Sequence, residues 1–160
     1  WSGLIALDGN LTEPLLAQIA ESPLFARADL RVAPASPGKA ERLRPLLDHP
    51  GATLYVNLEE ANILCAAHHP TAPEAAAALL ERGAHRVLVT HGGNPCAEGT
   101  RGKGVISDRP PEVLVTRITG AGDTFMAAHI VAERRGDPRE AALAAALRAA
   151  ATYVSGEIGS

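Results

Sequence analysis

The stretch "ATLYVNLEEANILCAAHH", Ala52 to His69, begins as a short apolar run and gives way at Asn57 to a segment of helical character. A continuous apolar run of that length suits a strand covered on both faces, and "LEEANILCAAHH" reads as the helix after it. A second helix, "APEAAAALLERG", stops at Gly83. "HRVLVT", His85 to Thr90, is the strongest strand of the chain. Strands separated by helices form βαβ units, which place their strands in parallel.

The same alternation extends in both directions. "GLIALD" (Gly3 to Asp8) and "ADLRVA" (Ala28 to Ala33) read as strands. Between them "TEPLLAQIAES" offers Thr12 as N-cap and sets Leu15, Leu16 and Ile19 on one face. "SPGKAERLRPLLDH" reads as a helix capped by Ser36 with Pro37 at its first position, and Pro45 predicts a kink or an early break. Downstream, "HGGNPCAEGTRGKGVIS" and "EVLVTRI" are glycine-rich and hairpin-like, which predicts antiparallel strands at a sheet edge. Two helices close the chain, about 122–135 and 138–154, with Asp137 capping the second. The expected fold is therefore α/β: a doubly wound, mostly parallel sheet with helices on both faces and an antiparallel hairpin at one edge.

The chain of 160 residues can bury one sizeable core, and 46% hydrophobic with 21% charged residues is ordinary for a globular domain. A net charge of −3 without a long run of like charge gives no support to a nucleic-acid or membrane-surface role. No apolar segment is long enough to span a bilayer, and no secretory signal pattern opens the sequence, so a cytoplasmic setting is expected. Cys65 and Cys96 form no CxxC pair, which argues against a disulfide scaffold or a zinc site. The first residue is Trp1 and an apolar run begins almost at once. That predicts a piece of something longer.

In open α/β sheets, ligands bind outside the carboxyl ends of the strands. Asp8, Asn10, Asn57, Thr90, Gly92 and Asp123 all fall at or just past expected strand ends, along one rim. The richest of these places is "ITGAGDTF", Ile118 to Phe125. Gly120, Ala121 and Gly122 leave the backbone bare at a helix entrance, where unpaired N–H groups and the macrodipole attract anions. Asp123 is odd there, since a carboxylate repels phosphate. It makes sense as a general base beside an anion hole that steadies charge on a transferred phosphoryl group. On spacing alone, a helix-capping Asp123 is the simpler reading. No Walker loop is present, because no Lys-Ser or Lys-Thr pair follows the glycines.

"TGAGDTF" resembles the second signature of the ribokinase-like, PfkB-type carbohydrate kinases. "NLEE" (Asn57 to Glu60) resembles their N-x-x-E element, "VTHGG" (Val89 to Gly93) their T-x-G segment, and "LDGN" (Leu7 to Asn10) their D-x-N strand end. The run "APASPGKAERL" before "LYVNLEEANIL" is most similar to the pseudouridine-kinase-like branch. The likeness spans nearly the whole chain but only the C-terminal half of a family member: a single partial domain, residues 1–160, with the nucleotide and base half. It implies ATP-dependent phosphorylation of a hydroxymethyl group on a sugar or nucleoside. Asp123 would take the hydroxyl proton, and Gly120, Ala121 and Gly122 would form the anion hole. Asn57 and Glu60 would organise Mg²⁺ through waters, and Asn57, Thr90 and Gly92 would meet the nucleotide.

Two departures from the family pattern matter. Arg117 stands where relatives carry an Asp in a segment that helps hold a monovalent cation, which counts against a K⁺ requirement. The N-terminal half with acceptor-binding residues and lid has no counterpart, so slow transfer, or nucleotide binding without kinase activity, is the alternative expectation. The sheet edge left open where missing strands would pair favours self-association. Cys65, His68 and His69 lack a second ligand cluster, and Arg101 with Lys103 suits a hairpin tip.

Overall fold

The first four strands are β1 (Leu4–Asp8), β2 (Asp29–Ala33), β3 (Ala52–Asn57) and β4 (Arg86–Thr90), and they lie side by side in chain order. All three of their pairings are parallel. The computed structural model describes residues 3–8, 11–34, 36–112 and 121–156. β5 (Cys96–Thr100) and β6 (Gly104–Asp108) add an antiparallel hairpin beyond β4, completing a six-stranded sheet. Each expected strand within the described residues is present. "EVLVTRI" lies almost wholly outside them.

Right-handed crossovers that step across a sheet in one direction deposit their helices on one face. Here α1 (Glu13–Glu21), a 3₁₀ helix (Pro37–Leu46), α2 (Leu58–Cys65) and α3 (Ala72–Glu81) share a core with Leu30, Val32, Leu54, Val56, Val87 and Val89. The closing helices α4 (Ala121–Arg134) and α5 (Arg139–Val154) supply the opposite face. There Phe125, Leu143, Ala146 and Leu147 pack on Tyr55, Leu88 and Cys96. The sheet is thus doubly wound. Covered on both sides, β3 is buried at every position except its last, which is why its sequence is continuously apolar.

Local signals account for most boundaries. Thr12 caps α1 by accepting a hydrogen bond from the Leu15 amide at 3.3 Å. α3 ends before Gly83, whose φ of +108° suits only glycine. The alanine-rich face of α5 is packing surface, since Ala142, Ala146 and Ala151 are buried.

Three expectations need correction. The segment from Pro37 is a 3₁₀ helix instead of an α-helix. Pro45 cannot donate to an i−4 carbonyl, and at three residues per turn Ala40, Leu43 and Leu46 fall on one line, which is the buried one. Ser36 precedes that helix but makes no capping hydrogen bond. Asp137 does not cap α5 either, because Pro138 holds the N-cap position and the Asp137 carboxylate accepts from Arg135 at 2.5 Å.

Gly51 is fixed by a close approach. Its carbonyl accepts from Leu30 N at 2.9 Å, and a Cβ placed on it would stand 2.1 Å from the Ala28 carbonyl oxygen. A backbone atom cannot swing aside. Gly51→Ala is expected to lower unfolding free energy by about 1–3 kcal/mol, the usual range for overpacking. Urea denaturation checks it, and a change below about 0.5 kcal/mol would show that the β2–β3 junction yields freely.

Candidate functional site

A cavity of about 930 Å³ opens beyond the carboxyl ends of β3 and β4. Its wall includes Asn57 from the end of β3, Glu60 from α2, Thr90 at the end of β4 with His91 to Gly93 after it, and Ala121, Gly122 and Asp123 from α4. Apart from Gly120, which lies outside the described residues with Asn10 and Arg117, the cavity collects every expected site residue beyond β1. Asp8 ends β1. The N-terminal ends of α2, α4 and the 3₁₀ helix all reach this space, through Asn57, Ala121 and Ser36 with Pro37. Their dipoles converge on it, so it favours a polyanion.

α4 begins at Ala121, so Asp123 is its third residue and does not hold the N-cap position. Asp123 is exposed and makes no hydrogen bond or ion pair among the described residues. Gly122 is open on its side-chain face, with nothing within 4 Å of a notional Cβ. Gly92 is open in the same sense and has φ +54°, a left-handed conformation that turns the chain after Thr90.

Asn57 and Glu60 are locked together. Asn57 Oδ1 accepts from Glu60 N at 2.8 Å, and Glu60 Oε1 accepts from Asn57 N at 2.8 Å. This capping box closes the start of α2. It commits one oxygen of each side chain and leaves Glu60 Oε2 and the Asn57 amide NH₂ for other partners. Burial pushes the Glu60 carboxyl up; the Asn57 N–H opposes that and the Glu59 charge adds to it. Its charge would therefore gain from a nearby cation.

Deeper in, the wall turns apolar, with Tyr55, Leu88, Cys96, Phe125, Leu147 and Ala151. Composition gave no hint of these residues. Two signals could have found the aromatics: Tyr55 alternates with the core residues Leu54 and Val56, and Phe125 follows Asp123 by two positions. Behind them runs a band of buried charge. Arg31 pairs with Asp29 at 2.7 Å and with Glu133 at 2.6 Å, and Arg86 reaches Glu133 at 2.7 Å. Fully buried Glu98 accepts from Arg139 at 2.6 Å and from the Thr100 hydroxyl. Burial alone would lower Arg31, but Asp29, Tyr55 and Glu133 raise it, so it stays charged.

The other polar candidates do not join the site. Arg101 and Lys103 sit exposed in the turn between β5 and β6. The His69 backbone is held by the Asn62 side chain, and no group of three His, Cys, Asp or Glu is placed to bind a metal among the described residues. Both cysteines are free and buried, and burial pushes the Cys96 thiol up to about 12. No described helix is long and apolar enough to cross a membrane.

Known proteins share the fold described above. The family described as pfkB family carbohydrate kinase matches residues 1–157. A carbohydrate kinase from Agrobacterium tumefaciens is 27% identical, with a TM-score of 0.74 over 92% of this chain and 46% of its own. The ribokinase of Arabidopsis thaliana, solved with ribose and ATP, is 27% identical with a TM-score of 0.78 over 94% of this chain and 49% of its own. An adenosine kinase from Schistosoma mansoni, solved with 2-fluoroadenosine, is 19% identical with a TM-score of 0.76 over 98% of this chain and 52% of its own. The chain thus has the ribokinase-like α/β fold and spans about half the length of these structures. No curated protein matches it.

Proposed function

The chain belongs to the pfkB family of carbohydrate kinases, and on that premise we propose that it carries the nucleotide and base half of an ATP-dependent sugar or nucleoside kinase. The observation that carries the reading is the exposed Asp123 carboxylate at the mouth of a cavity into which three helices point their N-termini. A triphosphate would lie against those termini, near Thr90, Gly92 and the amides of Gly120, Ala121 and Gly122. Asp123 would accept the proton of an acceptor hydroxymethyl. The helix-end amides would stabilise charge on the phosphoryl group as it moves. Positioning and electrostatics would supply most of the rate.

Mg²⁺ is the divalent ion this chemistry uses, neutralising charge on the phosphates. The donor set suits it: Glu60 Oε2 is a hard oxygen left free by the capping box, and Asn57 stands beside it. With so few protein oxygens, the ion would be held largely through waters. Arg117 in place of the family's acid counts against a K⁺ requirement. Within the family, the run "APASPGKAERL" ahead of "LYVNLEEANIL" makes a nucleoside the first acceptor to try, and ATP use suits a cytoplasmic setting.

A second reading is a nucleotide-binding module without kinase activity, alone or completed by another copy through the β1 edge, which pairs among the described strands with β2 alone. It is favoured by one finding: relatives of the same fold are about twice as long. Mg-ATP titration with thermal unfolding, followed by transfer assays on a sugar and nucleoside panel, separates the two. At 100 times its Kd, Mg-ATP is expected to add about 2.7 kcal/mol of stability. A shift with transfer supports the kinase, a shift without transfer supports the binding module, and no shift defeats both.

A further inference from the structure

Tyr55 does two things at once. Its ring lines the cavity, while its hydroxyl lies in the buried charge band behind it. Arg31 Nη1 donates to that hydroxyl at 2.9 Å, and the oxygen lies 2.7 Å from His129 Nδ1. A guanidinium can only donate, so the phenol accepts from Arg31 and keeps its own proton to offer to His129. With the phenol proton pointing to Nδ1, the ring hydrogen sits on Nε2, which has no hydrogen-bond partner among the described residues; the roles follow the ring tautomer. His129 has no exposed surface, and burial holds its pKa down at about 4, so the ring is neutral. Glu133 and Glu98 act to raise that pKa and Arg86 and Arg31 to lower it further, and none reverses that outcome.

The same ring is tied to the start of α4. Phe125 stacks parallel to His129 at a centroid distance of 6.4 Å and 2° between planes. Tyr55 meets both rings edge-on, at 6.5 Å from Phe125 and 5.4 Å from His129. Phe125 is two residues beyond Asp123 in the first turns of α4. A helix is stiff along its axis, and directional bonds from strands fix its roll about that axis. α4 receives two such sets, Glu133 with Arg31 and Arg86 near its C-terminal end and His129 with Tyr55 one turn nearer Asp123.

We propose that Tyr55 and His129 are positioning residues: their hydrogen bond, with the stacked Phe125, sets the roll of α4 and thereby aims the Asp123 carboxylate into the cavity. Arg31 fixes the direction of the phenol proton, and Glu133 anchors Arg31. The inference rests on the phosphoryl-transfer reading for its kinetic consequence only.

The test uses the full chain labelled on aspartate carboxyl carbons and histidine nitrogens, with Tyr55→Phe, His129→Leu and His129→Asn compared to the parent. Asn can still accept near the Nδ1 position, whereas Leu cannot. Tyr55→Phe and His129→Leu are expected to move the Asp123 carboxyl resonance, and His129→Asn to restore it to near the parent position. In the parent, the His129 signals should report the Nε2–H form. Where transfer is measurable, Tyr55→Phe should lower kcat about tenfold with KM for ATP changed less than twofold, because a misaimed group costs rate more than binding. An Asp123 resonance unmoved in folded Tyr55→Phe and His129→Leu would overturn the proposal. If Tyr55→Phe does not fold, the contrast between the two His129 variants decides. A resonance that moves in a chain that transfers no phosphate would defeat the kinase reading and leave the positioning role standing.

Discussion

Asp123→Asn is expected to lower kcat for phosphoryl transfer by about 10²–10⁴-fold, the usual worth of a positioned general base. Asparagine keeps the shape and one acceptor oxygen of aspartate but cannot take a proton. The carboxylate is exposed and unpaired among the described residues, so the change removes no hydrogen bond or ion pair among them. As an acid in the first turn of α4 it gains at most about 0.3–1 kcal/mol from the helix dipole. Stability should therefore hardly change, and removing a negative charge beside the phosphate site should leave Mg-ATP binding intact or slightly tighter. The measurement is kcat and KM for ATP with an acceptor that the parent chain phosphorylates. An unreduced kcat would remove Asp123 from the base role. A reduced kcat accompanied by lost Mg-ATP stabilisation would instead make Asp123 part of the nucleotide site.

The rim that holds this residue was readable because each part announces itself locally. Apolar runs of strand length, glycines after β4 and before α4, and the order of N-x-x-E, T-x-G and GAGD all sit within short windows. Those windows also conceal things. Asn57 and Glu60 carry the spacing of a capping box, so the same two residues start a helix and face the cavity, and a reading for ligands alone misses the first task. The 3₁₀ geometry of 37–46 was half visible in Pro45, yet its buried line at Ala40, Leu43 and Leu46 shows only when three residues per turn is tried. The charge band was not readable at all. Arg31 and Glu133 are 102 positions apart, and nothing near either one indicates a partner. An isolated Arg in a strand looks like an outward-facing residue until α4 is laid over it.

That band sets the second large effect. Glu133→Ala is expected to lower unfolding free energy by about 3–5 kcal/mol, the cost of breaking a buried ion pair from one side. Glu133 accepts from two guanidinium groups, and Arg31 and Arg86 keep only 7% and 14% of their side-chain surface exposed. Without the carboxylate both cations stay buried with less to face, and among the described residues Arg86 is left with Glu98 at 3.7 Å as its ion-pair partner. An acid in the last turn of α4 also opposes the helix dipole, so its presence there makes sense only through these partners. The pH dependence follows with a definite sign. Burial alone would raise Glu133, but Arg86, His129 and Arg31 outweigh it and hold the carboxyl at about 2 against an ordinary 4.5. A depressed carboxyl gives stability that is complete above pH 4.5 and lost as pH falls through 2. His129, held at about 4 against 6.5, acts one step earlier: its contribution is complete above 6.5 and lost on the way down to 4. Parent and Glu133→Ala should therefore differ fully at pH 7 and converge below pH 4.5, in urea denaturation run across that range. A gap that stays constant down to pH 2 would mean that Glu133 acts through packing and not through its charge. A gap that instead widens as pH falls towards 4 would mean that Glu133 acts mainly by supporting a protonated His129, whose pKa it raises.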